Sequence, residues 1–80
     1  MRAHVWVMPK VTVLDPQGQA IQHALASQGY AAVKEVRQGK FFVLALDGLD
    51  RAEAEKQVQR IAKEVLTNPV IEEFRYEIVD

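Results

Sequence analysis

Residues 2–8 follow the two-residue period of a strand. Ala3, Val5 and Val7 point one way, and His4, Trp6 and Met8 the other. Both sets are largely apolar, the mark of a strand covered on both sides. Pro9-Lys10 ends the run, and Val11 to Leu14 is a short apolar connector. A helical period then takes over. Ala20, Ile21, Ala24 and Leu25 form one apolar stripe, predicting a helix over residues 16–28. Asp15 can cap it, because its carboxylate accepts from the free amides of the first turn and suits the positive end of the dipole. Pro16 stands at the first helical position, where a missing N–H costs nothing. Gly29 stands where a left-handed C-terminal cap belongs. Gly18 is out of place in a first turn, where Ala would hold the helix better by roughly 1 kcal/mol. A glycine there suggests that some backbone or ligand approaches closely.

Residues 32–38 predict a second strand, whose Lys34, Glu35 and Arg37 suit a sheet edge or solvent. Gln38-Gly39 is a turn candidate. Residues 40–46 predict a third strand, apolar on both faces: Phe41, Val43 and Ala45 against Phe42, Leu44 and Leu46. A second helix begins after Asp50, with Glu53 three residues later in a capping-box pattern. Its stripe is Ala54, Val58, Ile61, Ala62, Val65 and Leu66. Asn68-Pro69 stops it, since the residue before proline resists the α region. Residues 70–79 predict the last strand, with Phe74, Tyr76 and Ile78 opposite Glu73, Arg75 and Glu77.

The order strand, helix, strand, strand, helix, strand predicts one α+β domain over residues 1–80. Right-handed crossovers make it a two-layer sandwich related to the ferredoxin-like fold, an antiparallel sheet with two helices on one face. The first and third strands are then central. Helices cover only one face. The other, with Trp6, Met8 and Phe41 or Phe42, has no element left to cover it, which predicts a subunit interface.

Composition narrows the function. Eighty residues make one domain with a thin core. There is no cysteine, hence no disulfide framework and no thiolate metal site. Small cysteine-free domains often reach stability by associating. The net charge of −1 argues against a nucleic-acid or acidic-membrane footprint. No apolar run approaches the ~18 residues of a membrane helix. Met1-Arg2-Ala3-His4 leads straight into a mixed segment, so no secretion signal is expected and a cytoplasmic location is.

Chemistry is sparse. His4 and His23 have no partner at metal-ligand spacing, so no metal site is expected. Ser27 is the only serine, and no nucleophile elbow surrounds it. Glu72 and Glu73 are adjacent on a strand and face opposite ways, so they make no catalytic pair. Arg37 with Lys40 suits an anion or a partner carboxylate, although a solvated hairpin is the commoner explanation. Phe41 and Phe42 are adjacent and diverge, whereas RNA-stacking sheets need aromatics two residues apart. No catalytic residue is expected. A small ligand-binding regulatory domain of ACT-like type remains the alternative.

Several short motifs also resemble one family. Val13-Leu14-Asp15-Pro16-Gln17-Gly18 with Ala20, His23, Ala24 and Leu25 is similar to the signature of PurS. Gly29-Tyr30, Val36-Arg37, Gly39-Lys40 and Asn68-Pro69-Val70-Ile71-Glu72 follow in that family's order. The resemblance spans essentially the whole chain. It implies a non-catalytic small subunit of the ATP-dependent phosphoribosylformylglycinamidine synthase of purine biosynthesis. That subunit bridges the large synthetase subunit PurL and the glutaminase subunit PurQ and assists ammonia transfer. It implies a homo-oligomer, dimer or tetramer. ATP and magnesium belong to the complex, and no cofactor is bound by this subunit. Carried over residue by residue, Gln17, His23, Arg37 and Lys40 become partner-contact candidates. Asp15, Pro16, Gly18, Gly29, Gly39, Asn68, Pro69 and Glu72 become structural motif residues. Trp6, Met8, Phe41 and Phe42 are the oligomer-interface candidates from the sheet argument.

Overall fold

The computed structural model describes all residues, Met1–Asp80. It is an α+β chain of β1 (Arg2–Pro9), α1 (Pro16–Ser27), β2 (Lys40–Ala45), α2 (Arg51–Ile61), a π-helical turn (Ala62–Leu66) and β3 (Glu72–Val79). The sheet is antiparallel with β1 in the middle, β2 on one side and β3 on the other. The register sets Val5 between Phe42 and Tyr76, and Trp6 between Phe41 and Arg75.

Alternation along β1 divides the two faces as the sequence implies. Ala3, Val5 and Val7 are buried with Ala54, Val58 and Ala62 of the second helix and with Ile78. Phe42, Leu44, Phe74 and Tyr76 pack around that core. The opposite face has no covering element. On it, Phe41 and Val43 are 53% and 54% exposed. Phe42 therefore belongs to the helix-covered side, and only Phe41 of the two stands on the open face.

Both helices begin as capped. Asp15 accepts from the Gly18 amide at 3.0 Å, and Asp50 accepts from the Glu53 amide at 2.8 Å. After α1, the Tyr30 and Gly29 amides close back on the Leu25 and Ala26 carbonyls, with Gly29 left-handed at φ 95°. At its C-terminal end α2 widens into the π turn just before Asn68-Pro69. A wider turn shifts the phase of the stripe. Val65 consequently leaves the core and is 74% exposed, while Ala62 stays buried.

Three expectations are corrected. Residues 32–38 form no strand, and Gln38-Gly39 is no hairpin turn. Residues 40–46 do not hold a central strand, because without a fourth strand β2 is an edge. Nor does α1 lie on the sheet beside α2. Ile21 in its stripe is 40% exposed, and Gly18 is the only buried residue of the helix. The physical reason is shared. Two alanines, one isoleucine and one leucine offer little area, and residues 32–38 find no backbone partner within their own chain. The segment between β1 and β2 thus stands away from the sheet as an arm. The molecule measures 50 × 26 × 14 Å with a radius of gyration of 16.1 Å. A compact chain of this length would have about 12 Å.

Candidate functional site

The arm is held where it leaves the sheet, and the residues that hold it are the motif residues. The Asp15 carboxylate does two things. One oxygen caps α1 through Gly18, and the other accepts from the Gln38 amide at 2.8 Å. The start of the helix is thereby fastened to the segment that returns to β2. The hydrogen bonds from Gln38 and Gly18 hold the Asp15 carboxyl below the ordinary carboxylate value. Partial desolvation opposes this, and the Arg37 charge adds to it.

Gly18 is required by this junction. A methyl group on it would collide with the Val36 carbonyl and with Asp15 Oδ2. The close approach foreseen for a first-turn glycine is therefore an approach of backbone. Gly39 plays the same part on the other side, where a side chain would run into the Met8 sulfur and the Val7 carbonyl. Arg37 donates from its guanidinium to the Pro9 carbonyl at the end of β1.

A fourth segment joins from the C-terminal side. The Asn68 side chain accepts from the Val70 amide at 3.1 Å, and its backbone amide donates to Glu72 Oε1 at 2.8 Å. Glu72 Oε2 lies 3.8 Å from Lys40 Nζ. The Lys10 amide donates to the Ile71 carbonyl at 2.9 Å, which ties the end of β1 to the start of β3.

Together these segments enclose an open cleft of about 500 Å³. Its polar lining includes Asp15, Gln17, Gln38, Lys40 and Glu72, and its apolar wall is Val13, Leu14 and Ile71. Asp15, Pro16, Gln17, Gly39, Lys40 and Glu72 come from three separate stretches of sequence, and here they share one concavity. His23 is elsewhere, on the exposed side of α1 in a shallow depression with Lys34 and Glu35. Val13, Leu14 and Ile71 complete the cleft from within the quoted motifs without having been assigned a role, and Gln38 adds to it with adjacency to Gly39 as its only signal.

The open face of the sheet is the second feature. His4, Trp6 and Phe41 form an aromatic cluster, with His4–Phe41 and Trp6–Phe41 centroids both 5.3 Å apart. The Arg75 guanidinium lies 4.1 Å above the Trp6 ring, a cation–π contact. The chemistry available on this face is burial against another protein surface, with Arg75 able to supply a charge.

A family model described as PurS, Phosphoribosylformylglycinamidine (FGAM) synthase, matches residues 2–80. The chain belongs to the PurS family. The PurS subunit of Bacillus subtilis is 43% identical over 77 residues, which cover 96% of this chain and 90% of that protein. That of Mycobacterium leprae is 44% identical over 73 residues, 91% of this chain and 89% of that one. Among solved structures, Bacillus subtilis PurS superposes with a TM-score of 0.88 at 42% identity, over 99% of this chain and 98% of that chain. A chain of PurLQS from Thermotoga maritima superposes with a TM-score of 0.87 at 28% identity, over 98% and 95%. The PurS likeness thus includes the arm as well as the sheet. No helix is long and apolar enough to cross a membrane.

Proposed function

We propose that this chain is the non-catalytic small subunit of a multi-subunit phosphoribosylformylglycinamidine synthase. One observation carries the reading. The chain corresponds over nearly its whole length to a chain within a PurLQS assembly. In that role it joins the glutaminase subunit PurQ to the ATP-dependent synthetase subunit PurL. The glutaminase releases ammonia from glutamine, and the synthetase activates the formylglycinamide oxygen with ATP so that ammonia displaces the phosphate. Ammonia released into water would be protonated and diluted. A bridging subunit therefore acts by proximity, holding two active sites in register. ATP and magnesium serve the synthetase, and no cofactor is assigned to this subunit.

Two surfaces suit the role. The cleft presents Gln17 and Lys40 outward, with His23 on the neighbouring side of α1. We assign these to partner contact. Arg37 contributes by holding the cleft's wall against Pro9. The open sheet face with Trp6, Met8 and Phe41 is assigned to self-association, as a dimer or tetramer.

Size-exclusion chromatography of the chain mixed with purified PurL and PurQ tests the reading. A ternary peak that needs magnesium and nucleotide and contains this chain is the expected result. Elution of the chain at its own volume under every condition would overturn it.

A further inference from the structure

We propose that the outer edge of β3 is a docking site for an extended segment of another protein, one that reads basic, apolar, acidic, apolar, basic along five residues.

The free groups of this edge can be named. In an antiparallel sheet the N–H and C=O of one residue point to the same side, and those of the next residue to the other. The Ile71 carbonyl accepts from the amide of Lys10, the residue after β1, so the odd residues of β3 face β1 and the even ones face outward. On the outer side the Glu72 amide is taken by the Asn68 carbonyl at 2.8 Å, and the Ile78 carbonyl by Arg51 at 3.4 Å. Between these two stops, the amides and carbonyls of Phe74 and Tyr76 have no strand to pair with, since β3 ends the sheet. Such open groups are a template for one short added strand.

The side chains beside these groups set what can pair. Glu73, Arg75 and Glu77 stand on the open face of the sheet and are exposed. Arg75 is held in place above Trp6. Side chains directly opposite each other on paired strands attract when their charges differ and repel when they match. A complementary segment therefore carries basic residues opposite Glu73 and Glu77 and an acidic residue opposite Arg75. Phe74 and Tyr76 lie on the helix-covered side against the core, so the residues between those charges are apolar. The one opposite Phe74 meets a pocket of about 280 Å³ whose lining includes Lys63, Thr67, Pro69 and Phe74. That pocket gives the segment an anchor.

A second copy of the chain does not fit this edge. Two β3 strands related by a two-fold axis use Phe74 and Tyr76 of both copies only when Phe74 lies opposite Tyr76. That register sets Arg75 opposite Arg75 and Glu73 opposite Glu77, which is repulsive throughout. Shifted registers call on the Glu72 amide or the Ile78 carbonyl, and both are engaged. No five-residue run of this chain has the basic, apolar, acidic, apolar, basic pattern either. The occupant is thus a different protein. The inference rests on the edge itself and is independent of the synthase reading.

The test is a nuclear magnetic resonance titration of the isolated full chain with two capped peptides, Lys-Val-Glu-Val-Lys and Lys-Val-Lys-Val-Lys. At saturation the first should slow exchange of the Phe74 and Tyr76 amides on the order of tenfold and leave those of Glu73 and Arg75, which face β1, unchanged. It should bind about fivefold more tightly than the second. Arg75→Glu should invert that preference, with near-ultraviolet dichroism reporting that the sheet remains folded. Glu77→Lys, at an exposed position, should weaken binding of the first peptide independently. No binding at millimolar peptide, equal binding of the two, or binding that leaves Phe74 and Tyr76 unprotected would overturn the inference. Protection of those two amides in the chain alone would overturn it too, because it would give the edge to a second copy.

Discussion

The Val36 carbonyl occupies the space in which a side chain on Gly18 would have to stand. This one contact explains why a helix begins with its poorest ordinary residue in the first turn. Gly18→Ala should raise the intrinsic helix preference by about 1 kcal/mol. It should nevertheless destabilise the arm, because the obstruction is backbone and cannot rotate away. Faster proteolysis between Val11 and Gly39 at unchanged sheet dichroism is the expected result. An arm more resistant than wild type would show that the junction is loose.

That residue also shows what was legible in the sequence. Asp15-Pro16, Gly29 and Asp50 announce themselves by local chemistry, and each does in the structure what its type implies, whereas of the Asp50–Glu53 capping box only the Asp50 half is made. Alternation in Ala3, Val5 and Val7 was equally readable, because one buried face leaves a strict period. The motif residues could be grouped by resemblance, but their meeting in a cleft depends on long-range backbone geometry. The same limit explains residues 32–38. Strand propensity says which residues suit a sheet, and nothing local says whether a partner edge lies within the chain. The outward rotation of Val65 was hidden too, since one extra residue in a turn leaves no mark on composition.

Asp15 makes the arm sensitive to acid. Its folded carboxyl titrates below the ordinary carboxylate value, chiefly through the amides of Gln38 and Gly18. A lowered folded value means the ionised form is favoured by folding. The stabilisation is complete above the unfolded value near 4 and is lost as pH falls through the lower folded value. Hydrogen exchange at the Gln38 amide should therefore accelerate on acidification, beyond its intrinsic pH dependence. Asp15→Asn should abolish that extra response. A variant with the wild-type profile would assign the effect to another group.

Val58 tests the core. It is fully buried between the second helix and the sheet. Val58→Ala removes about two methylene equivalents and leaves a partial cavity, so a loss of about 2 kcal/mol is expected. Urea denaturation at fixed protein concentration measures it. A loss below half of that would mean that the neighbouring residues close over the gap.

Lys40 separates recognition from folding. Its 3.8 Å pairing with Glu72 is at the surface, where such pairs contribute roughly 0.2–1 kcal/mol. Lys40→Ala should leave the thermal midpoint nearly unchanged and weaken association with the partner subunits. Arg37→Ala should lower the thermal midpoint and also weaken association, because Arg37 holds Pro9. Undiminished co-elution of the Lys40 variant would remove the cleft from the partner interface.

Phe41 stands beside His4 and Trp6 on the open sheet face and tests the self-association proposed for that face. Phe41→Glu places a charge in that cluster and should lower the association state seen in sedimentation. An unchanged mass would leave this face to the large subunits.

The central claim is that the chain enables a reaction it does not itself perform. The direct measurement is glutamine-dependent formation of formylglycinamidine ribonucleotide by purified PurL and PurQ, with ATP and magnesium, with and without this chain. The chain alone should be inert, the pair without it poorly active, and its addition should restore turnover until subunit stoichiometry is reached. Equal turnover with and without it, or product formed by the chain alone, would contradict the account.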